Sequence, residues 1–269
     1  MNLIIDIGNT RTKLALFKNG QLVKLEIQEN KKIENIDGSI NIESLVESVK
    51  TDCIIVSSVK NIVVSEAIKA SVLVLDSNTK LPIVNTYKST TLGVDRIAFA
   101  VGAFSLFPKK NSLLIDLGSA ITIDFINSKG VYEGGNISPG MFYRFKSLNN
   151  FTSKLPLVSH EGACLLTSKT TEDAIRSGVV NSILFEIESY IVNYKKKYND
   201  IEIILTGGDS KFFAKQLKKR IFAKEKSIDL LGGDKKAQNV NLNDSKIEID
   251  KDLVLKGLNT ILEYNVNKI

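Results

Sequence analysis

Apolar positions in this chain come in short runs broken by polar turns, and the runs differ in length and period along the sequence. Residues 3–8, 12–17 and 21–27 read as three strands, and Asn19-Gly20 between the last two is a strong hairpin signal. A helical pattern over 43–50 precedes the apolar strand 54–56, and a second over 61–70 precedes a strand at 72–75. Residues 77–92, rich in Ser, Thr and Asn, read as a loop. A helix then starts near Val94 and ends at about Phe107, before Pro108. Strands are expected at 112–117, 120–127 and 131–136, with a turn from Asn127 to Gly130. Gly134 to Gly140 reads as a backbone-dense loop, and Pro139 suits the start of a helix over 140–149. A long helix is predicted over 172–197, with Thr171 as N-cap and Glu172 and Asp173 in its first turn. Strand 201–205, a Thr206-Gly207-Gly208-Asp209 turn, a helix at 210–220 and a last helix at 251–264 complete the pattern. The polar stretch 224–251 reads as a surface excursion. Antiparallel strands followed by alternating helix and strand predict mixed sheets with helices on their faces.

One pattern occurs twice. Leu3-Ile4-Ile5-Asp6-Ile7-Gly8-Asn9-Thr10 and Leu113-Leu114-Ile115-Asp116-Leu117-Gly118-Ser119-Ala120 have the same shape at an offset of 110 positions. The match continues at that offset through Thr12 and Thr122, and both copies end at turn glycines, Gly20 and Gly130. Each reads as an apolar strand with an acidic residue near its end, a glycine turn and a return strand. Two such hairpins facing across a cleft would put Asp6 and Asp116 on opposite sides of a metal-carrying polyphosphate.

Composition removes several function classes. The chain of 269 residues suits one large domain or two ordinary ones, and no stretch approaches the length of a membrane span. Its strand pattern begins at Leu3 with no export signal in front, and its two cysteines, Cys53 and Cys164, fit idle thiols in a reducing cytoplasm. The net charge of +6 comes from scattered lysines, and the runs 195–197 and 218–220 sit near predicted helix ends, so no nucleic-acid partner is expected. The single histidine, His160, lies in a loop-like stretch that supports no nucleophilic triad. Chemistry then rests on carboxylates, hydroxyls, amides and basic side chains, the set that phosphoryl transfer uses.

The motifs fit that chemistry. In Asp6-x-Gly8-Asn9-Thr10-x-x-Lys13, Gly8 permits a positive φ and a close approach of an anion to the backbone. Asn9, Thr10 and nearby amides would donate to phosphate oxygens, Lys13 would add a point charge, and Asp6 would hold Mg²⁺. The paired glycines at 207 and 208 would let a planar base or ribose lie on the backbone. Gly93-Val94-Asp95-Arg96 opens a helix, with Asp95 as candidate general base and Arg96 as a clamp for a substrate carboxylate.

Together these motifs resemble the ASKHA (acetate and sugar kinase, Hsc70, actin) superfamily, and within it the type III pantothenate kinases. The resemblance rests on the residue 6–13 motif, Gly93-x-Asp95-Arg96-Ile97, Asp116-x-Gly118-Ser119-Ala120-x-Thr122-x-Asp124 and Gly134-Gly135-x-Ile137-x-Pro139-Gly140, in family order. It implies a duplicated ribonuclease H-like α/β fold with lobes at 1–108 and 109–269. It also implies that Mg-ATP lies along Asp6, Ile7, Gly8, Asn9, Thr10, Arg11, Thr12 and Lys13, with Ser119 as a further contact. Asp95 would accept the proton of the primary alcohol, and Tyr87, Gly93, Val94, Asp95, Arg96 and Thr171 would contact pantothenate. Asp116 would bind a potassium or ammonium ion. The family is dimeric, so Thr171 would act from the neighbouring subunit of a homodimer. Ser119 stands where the family usually has Thr, and keeps the hydroxyl. The segment after Tyr87 lacks the usual proline and is about one residue shorter than in the family, and the 224–251 excursion is longer. The alternatives are a nucleotide-binding regulatory or accessory protein of the same fold, and an ASKHA kinase for another small alcohol.

Overall fold

The computed structural model describes residues 1–46, 51, 53–69, 71–231 and 247–266. In chain order the elements are β1 (Asn2–Ile7), β2 (Arg11–Lys18), β3 (Gln21–Glu29), β4 (Ile40–Asn41), α1 (Ile42–Val46), β5 (Cys53–Ser58), β6 (Ile62–Val63), α2 (Glu66–Lys69), β7 (Val72–Val74), β8 (Val84–Asn85) and α3 (Val94–Leu106). They continue as β9 (Asn111–Leu117), β10 (Ala120–Ile126), β11 (Val131–Pro139), α4 (Met141–Phe151), α5 (Thr171–Lys197), β12 (Ile201–Thr206), α6 (Ser210–Leu231), β13 (Ile247–Ile249) and α7 (Leu253–Val266). The chain divides into two compact units: residues 1–109, 127–133 and 252–269 form one, and 110–126 with 134–251 form the other.

The duplication is visible in the strand order. The first sheet runs β3-β2-β1-β5-β7, and the second contains β11-β10-β9-β12-β13, with β8 added beyond β11. Each has an antiparallel hairpin joined to a parallel strand, β5 beside β1 and β12 beside β9. This is the duplicated ribonuclease H-like α/β architecture, with mixed sheets flanked by helices.

The two hairpins are one residue out of step. Residues 8–10 connect β1 to β2, whereas 118–119 connect β9 to β10. Asp6 therefore pairs with Lys13, and Asp116 pairs with Thr122. The residue in the second copy equivalent to Thr12 is Ile121, since these two stand opposite Ile7 and Leu117. The offset of 110 holds on the outgoing strand and becomes 109 on the return strand, which corrects the sequence match of Thr12 with Thr122. A linear comparison hides this because the residue is lost inside the turn.

In the first unit, Leu3, Ile5, Ile7, Ile40, Ile42, Leu45, Ile54 and Val56 pack as a buried cluster on one side of the sheet. Helices α3 and α7 pack together through glycine. A Cβ on Gly257 would lie 1.8 Å from the Ala98 carbonyl oxygen, and one on Gly102 would lie 2.4 Å from the Leu253 carbonyl oxygen. Only side-chain-free positions allow this backbone contact. In the second unit, α5 contributes Ile175, Val179, Val180, Ile183, Leu184, Ile187 and Ile191 to a core shared with Leu113, Ile115, Leu117, Ile203 and Leu205 of the sheet.

Other expectations change for local reasons. The helix predicted over 61–70 is a strand at Ile62–Val63 followed by the single turn Glu66–Lys69. The β-branched run Ile62-Val63-Val64 favours the strand. The 77–92 loop contains the short strand β8. The loop predicted at 134–140 continues β11 to Pro139. Its glycines serve close approach, since a Cβ on Gly135 would meet the Ile123 carbonyl oxygen at 2.1 Å, and one on Gly140 would meet that of Gly118 at 2.0 Å. The α5 cap is Thr170, not Thr171: its Oγ1 accepts from the Asp173 N–H at 3.2 Å and donates to the Asp173 carboxylate at 2.7 Å. Helix α6 runs to Leu231, past the predicted end at 220. The expected excursion at 224–251 falls in part on residues 232–246, which lie outside the described residues, as do 47–50 of the helix expected over 43–50. Among the described residues no helix is long and apolar enough to cross a membrane.

Candidate active site

The first hairpin is fixed from inside the protein. The Asn30 side chain donates to the Gly8 carbonyl at 2.8 Å and accepts from the Thr12 hydroxyl at 2.9 Å, while its N–H donates to the Thr10 carbonyl at 3.0 Å. Asn30 and Thr12 are buried, so the Thr12 hydroxyl is committed to the fold and only Asn9, Thr10 and Arg11 of this turn are exposed. Ile7 is likewise buried, its carbonyl accepting from Val59 N–H. Gly8 does not use the positive φ open to it: among the described residues the positive-φ glycines are 20, 38, 130, 134, 162 and 207. An isolated Asn after a strand carries no sequence signal, so nothing local marks Asn30. Replacing it with Ala strands the buried Thr12 hydroxyl and Gly8 carbonyl. Denaturant unfolding of Asn30→Ala is expected to show a loss of about 1–3 kcal/mol.

Asp6 projects beside this turn with its side chain 14% exposed and Lys13 Nζ at 3.8 Å. Burial pushes its carboxyl above the ordinary aspartate value; Lys13 opposes this, Asp95 adds to it, and the Ser57 hydroxyl, donating to Asp6, opposes it. Ser57 is buried and neighbours Asp6 across the parallel pair β1–β5, and nothing local marks it either. A raised carboxyl binds more protons in the folded chain than in the unfolded one. Its contribution to stability therefore falls as pH rises from the ordinary Asp value through the raised one. Asp6→Asn removes that penalty. Its melting temperature near neutral pH is expected to equal or exceed wild type, with the gap closing as pH falls.

The N-terminus of α3 brings the second group together. Gly93 is the N-cap and has no side chain to cap with, and the Asp95 carboxylate folds back over it, accepting from the Arg96 N–H at 2.9 Å. A Cβ on Gly93 would meet Asp95 Oδ1 at 2.5 Å. Glycine here leaves room for the carboxylate. Arg96 is buried, 5% exposed, and its guanidinium lies 5.6 Å from the centre of the Tyr87 ring. Tyr87 is held by its N–H donating to Asn85 Oδ1 and by its ring against Tyr132, 6.4 Å between centres. The first unit thus gathers Asp6, Lys13, Asp95, Arg96 and Tyr87, with Gly93 and Val94 between them.

In the second unit, Asp116 is half-buried and Ser119 is exposed at the hairpin turn. Gly207, at φ +88°, packs on this strand end, where a Cβ would lie 2.3 Å from Asp116 Oδ1. Its missing side chain therefore serves the fold, while Gly208 faces open space. The Asp209 N–H donates to the Leu117 carbonyl at 2.9 Å, and Gly140 N–H to the Ser119 carbonyl at 2.9 Å, so the starts of α6 and α4 both brace the hairpin. Arg144 pairs with Glu186 and donates to the Pro139 carbonyl at 2.7 Å, fixing the Gly140 end of β11 to α5. The Thr122 hydroxyl, across from Asp116, is buried without a hydrogen-bond partner. Such a group costs about 1–3 kcal/mol if left unmet, and a hydroxyl and a carboxylate are both oxygen donors, the kind a hard cation takes. Thr171 is exposed at the first position of α5.

Known proteins place this geometry in a family. The sequence profile of the type III pantothenate kinases matches residues 2–193. A type III pantothenate kinase of Bacteroides fragilis (strain YCH46) is 40% identical over 272 residues, covering 100% of both chains. One from Cytophaga hutchinsonii is 40% identical over 269 residues, covering 99% of this chain and 100% of the relative. Solved structures share the fold at low identity. A Campylobacter jejuni protein named for the Baf family of transcriptional activators has TM-score 0.57 and 22% identity, covering 98% of this chain and 99% of its own. A ROK family protein from Streptococcus pneumoniae in complex with sucrose has TM-score 0.52 and 12% identity, covering 99% of this chain and 100% of its own. The chain belongs to the type III pantothenate kinase family.

Proposed function

We propose that this protein transfers the γ-phosphate of ATP to the primary hydroxyl of pantothenate, giving 4′-phosphopantothenate in the first step of coenzyme A synthesis. One structural observation carries the reading: Asp95 stands at an open helix N-terminus, close enough to Asp6 to perturb its proton affinity, next to the Arg96–Tyr87 stack. A base, a metal-side carboxylate and a cation–aromatic pair in one place suit an alcohol acceptor bearing a carboxylate.

In this mechanism residues 6–13 and Ser119 hold Mg-ATP. Asn9, Thr10 and Arg11 supply exposed donors, Ile7, Gly8 and Thr12 shape the turn, and Lys13 offsets phosphate charge. Tyr87, Gly93, Val94 and Arg96 position pantothenate. Its hydroxyl attacks the γ-phosphorus in line as Asp95 takes the proton, the bond from that phosphorus to the β-phosphate oxygen breaks, and ADP leaves. Asp116 would hold a monovalent cation, potassium or ammonium, which offsets charge on the phosphates when bound. The lobes 1–108 and 109–269 are read as the two copies of the duplication.

The reading extends to a cytoplasmic homodimer in which Thr171 of one subunit reaches the pantothenate of the other. Exposed apolar side chains support the dimer: Leu165, Leu166 and Phe185 border a groove along α5 with Ala174 and Gly178.

The test mixes purified protein, Mg-ATP and pantothenate, with and without potassium, and measures 4′-phosphopantothenate by mass spectrometry. Potassium-stimulated product is expected. ATP turnover indifferent to pantothenate would favour a nucleotide-binding accessory protein, and phosphorylation of hexoses instead would favour another alcohol kinase.

A further inference from the structure

The strand registers make the two acidic hairpins equivalent position by position. In the first copy, Asp6 has Lys13 across the hairpin and the Ser57 hydroxyl on the parallel strand. In the second copy, Asp116 has Thr122 across the hairpin and Thr206 on the parallel strand. Carboxylate and parallel-strand hydroxyl are thus common to both copies. The cross-strand residue differs: an ammonium group 3.8 Å from the carboxylate in one copy, a hydroxyl in the other.

Directly opposed residues of an antiparallel pair lie on the same face of the sheet, with Cβ atoms about 4.5–5.5 Å apart. Thr122 therefore shares a face with Asp116. Its Oγ1 is sealed from solvent and has no hydrogen-bond partner. A threonine hydroxyl has two lone pairs to offer. Asp116 is engaged within the protein, and an ionised carboxylate has further lone pairs for a cation.

We propose that Thr122 is a ligand of the monovalent cation, and that the ion is the second copy's substitute for the Lys13 ammonium. The one-residue deletion in the second turn moved a threonine into the lysine position, and a mobile ion takes the place of the tethered one. The inference rests on the reading of Asp116 as the cation site, and it explains why a fold with two equivalent acidic hairpins would need an added cation at only one of them.

The test reads binding without turnover. The melting temperature is recorded with Mg²⁺ and a non-hydrolysable ATP analogue, without pantothenate, while potassium replaces choline at constant ionic strength. Wild type is expected to show a saturable potassium-dependent rise. Thr122→Val should raise the half-saturating potassium concentration by about 10-fold or more, and Thr122→Ser should restore it to near the wild-type value. Thr122→Lys should abolish the rise and make product formation independent of potassium. If Thr122→Lys does not fold, the Val and Ser variants decide the matter. A Thr122→Val protein that titrates like wild type overturns the proposal, as does a wild type with no potassium-specific rise. Since no pantothenate is present, failure of the substrate assignment would show only in the product assay.

Discussion

Asp95→Asn is expected to lower the turnover number by about 10²–10⁴-fold, the usual range for losing a general base. Asparagine matches aspartate in shape, and its side-chain oxygen can still accept from the Arg96 N–H, which is 2.9 Å from Asp95 Oδ1. The first turn of α3 should therefore stay in place. The change also removes a negative charge that raises the proton affinity of Asp6, so the Asp6 carboxyl should ionise more readily and the unliganded protein should lose no stability. Steady-state kinetics, ATP-analogue binding and thermal melting together isolate the proton-transfer role. Lost turnover with unchanged ATP affinity and unchanged melting supports it. Turnover within a few fold of wild type removes Asp95 from that role.

Gly257→Ala should strongly destabilise the first unit. Its Cβ would stand 1.8 Å from the Ala98 carbonyl oxygen and 2.8 Å from Gly102 N. Both are backbone atoms that no rotamer change can move, so α3 and α7 must separate. The expected loss is about 3 kcal/mol, the upper end of the usual range for overpacking. Because the displaced helix carries Asp95 and Arg96 in its first turn, kcat/KM should fall along with the denaturant midpoint. If Gly257→Ala unfolds at the wild-type midpoint, the helices do not meet as described.

Legibility in the sequence followed interaction range. The strands around Asp6 and Asp116 were readable because each depends on neighbours close in the chain, and the Asn19-Gly20 turn adopts the positive φ of 51° and 74° that this dipeptide favours. The helix carrying Asp95 and the long α5 were readable for the same reason. Errors clustered where distant backbone decides. Gly135 and Gly140 looked like loop residues, yet they are glycine so that β11 can lie against Ile123 and Gly118. Asn30, just past the end of β3, and Ser57, on β5, hold the first acidic hairpin, and nothing local marks either one.

Sequence alone determined that the chain is duplicated, that each copy presents an acidic glycine hairpin, and that an Asp-Arg pair opens a helix. These are properties of short segments, set by hydrophobic period and turn chemistry, and they were enough to indicate the family. Tertiary structure decided which residues oppose which: that Lys13 faces Asp6 while Thr122 faces Asp116, that Arg96 is buried against Tyr87, and that α7 returns to support α3 through two glycines. Strand register and helix contact depend on steric and hydrogen-bond agreement between segments up to 150 or more positions apart, such as Ala98 and Gly257. One residue dropped from a turn shifts every partner beyond it, and only the paired strands reveal that shift.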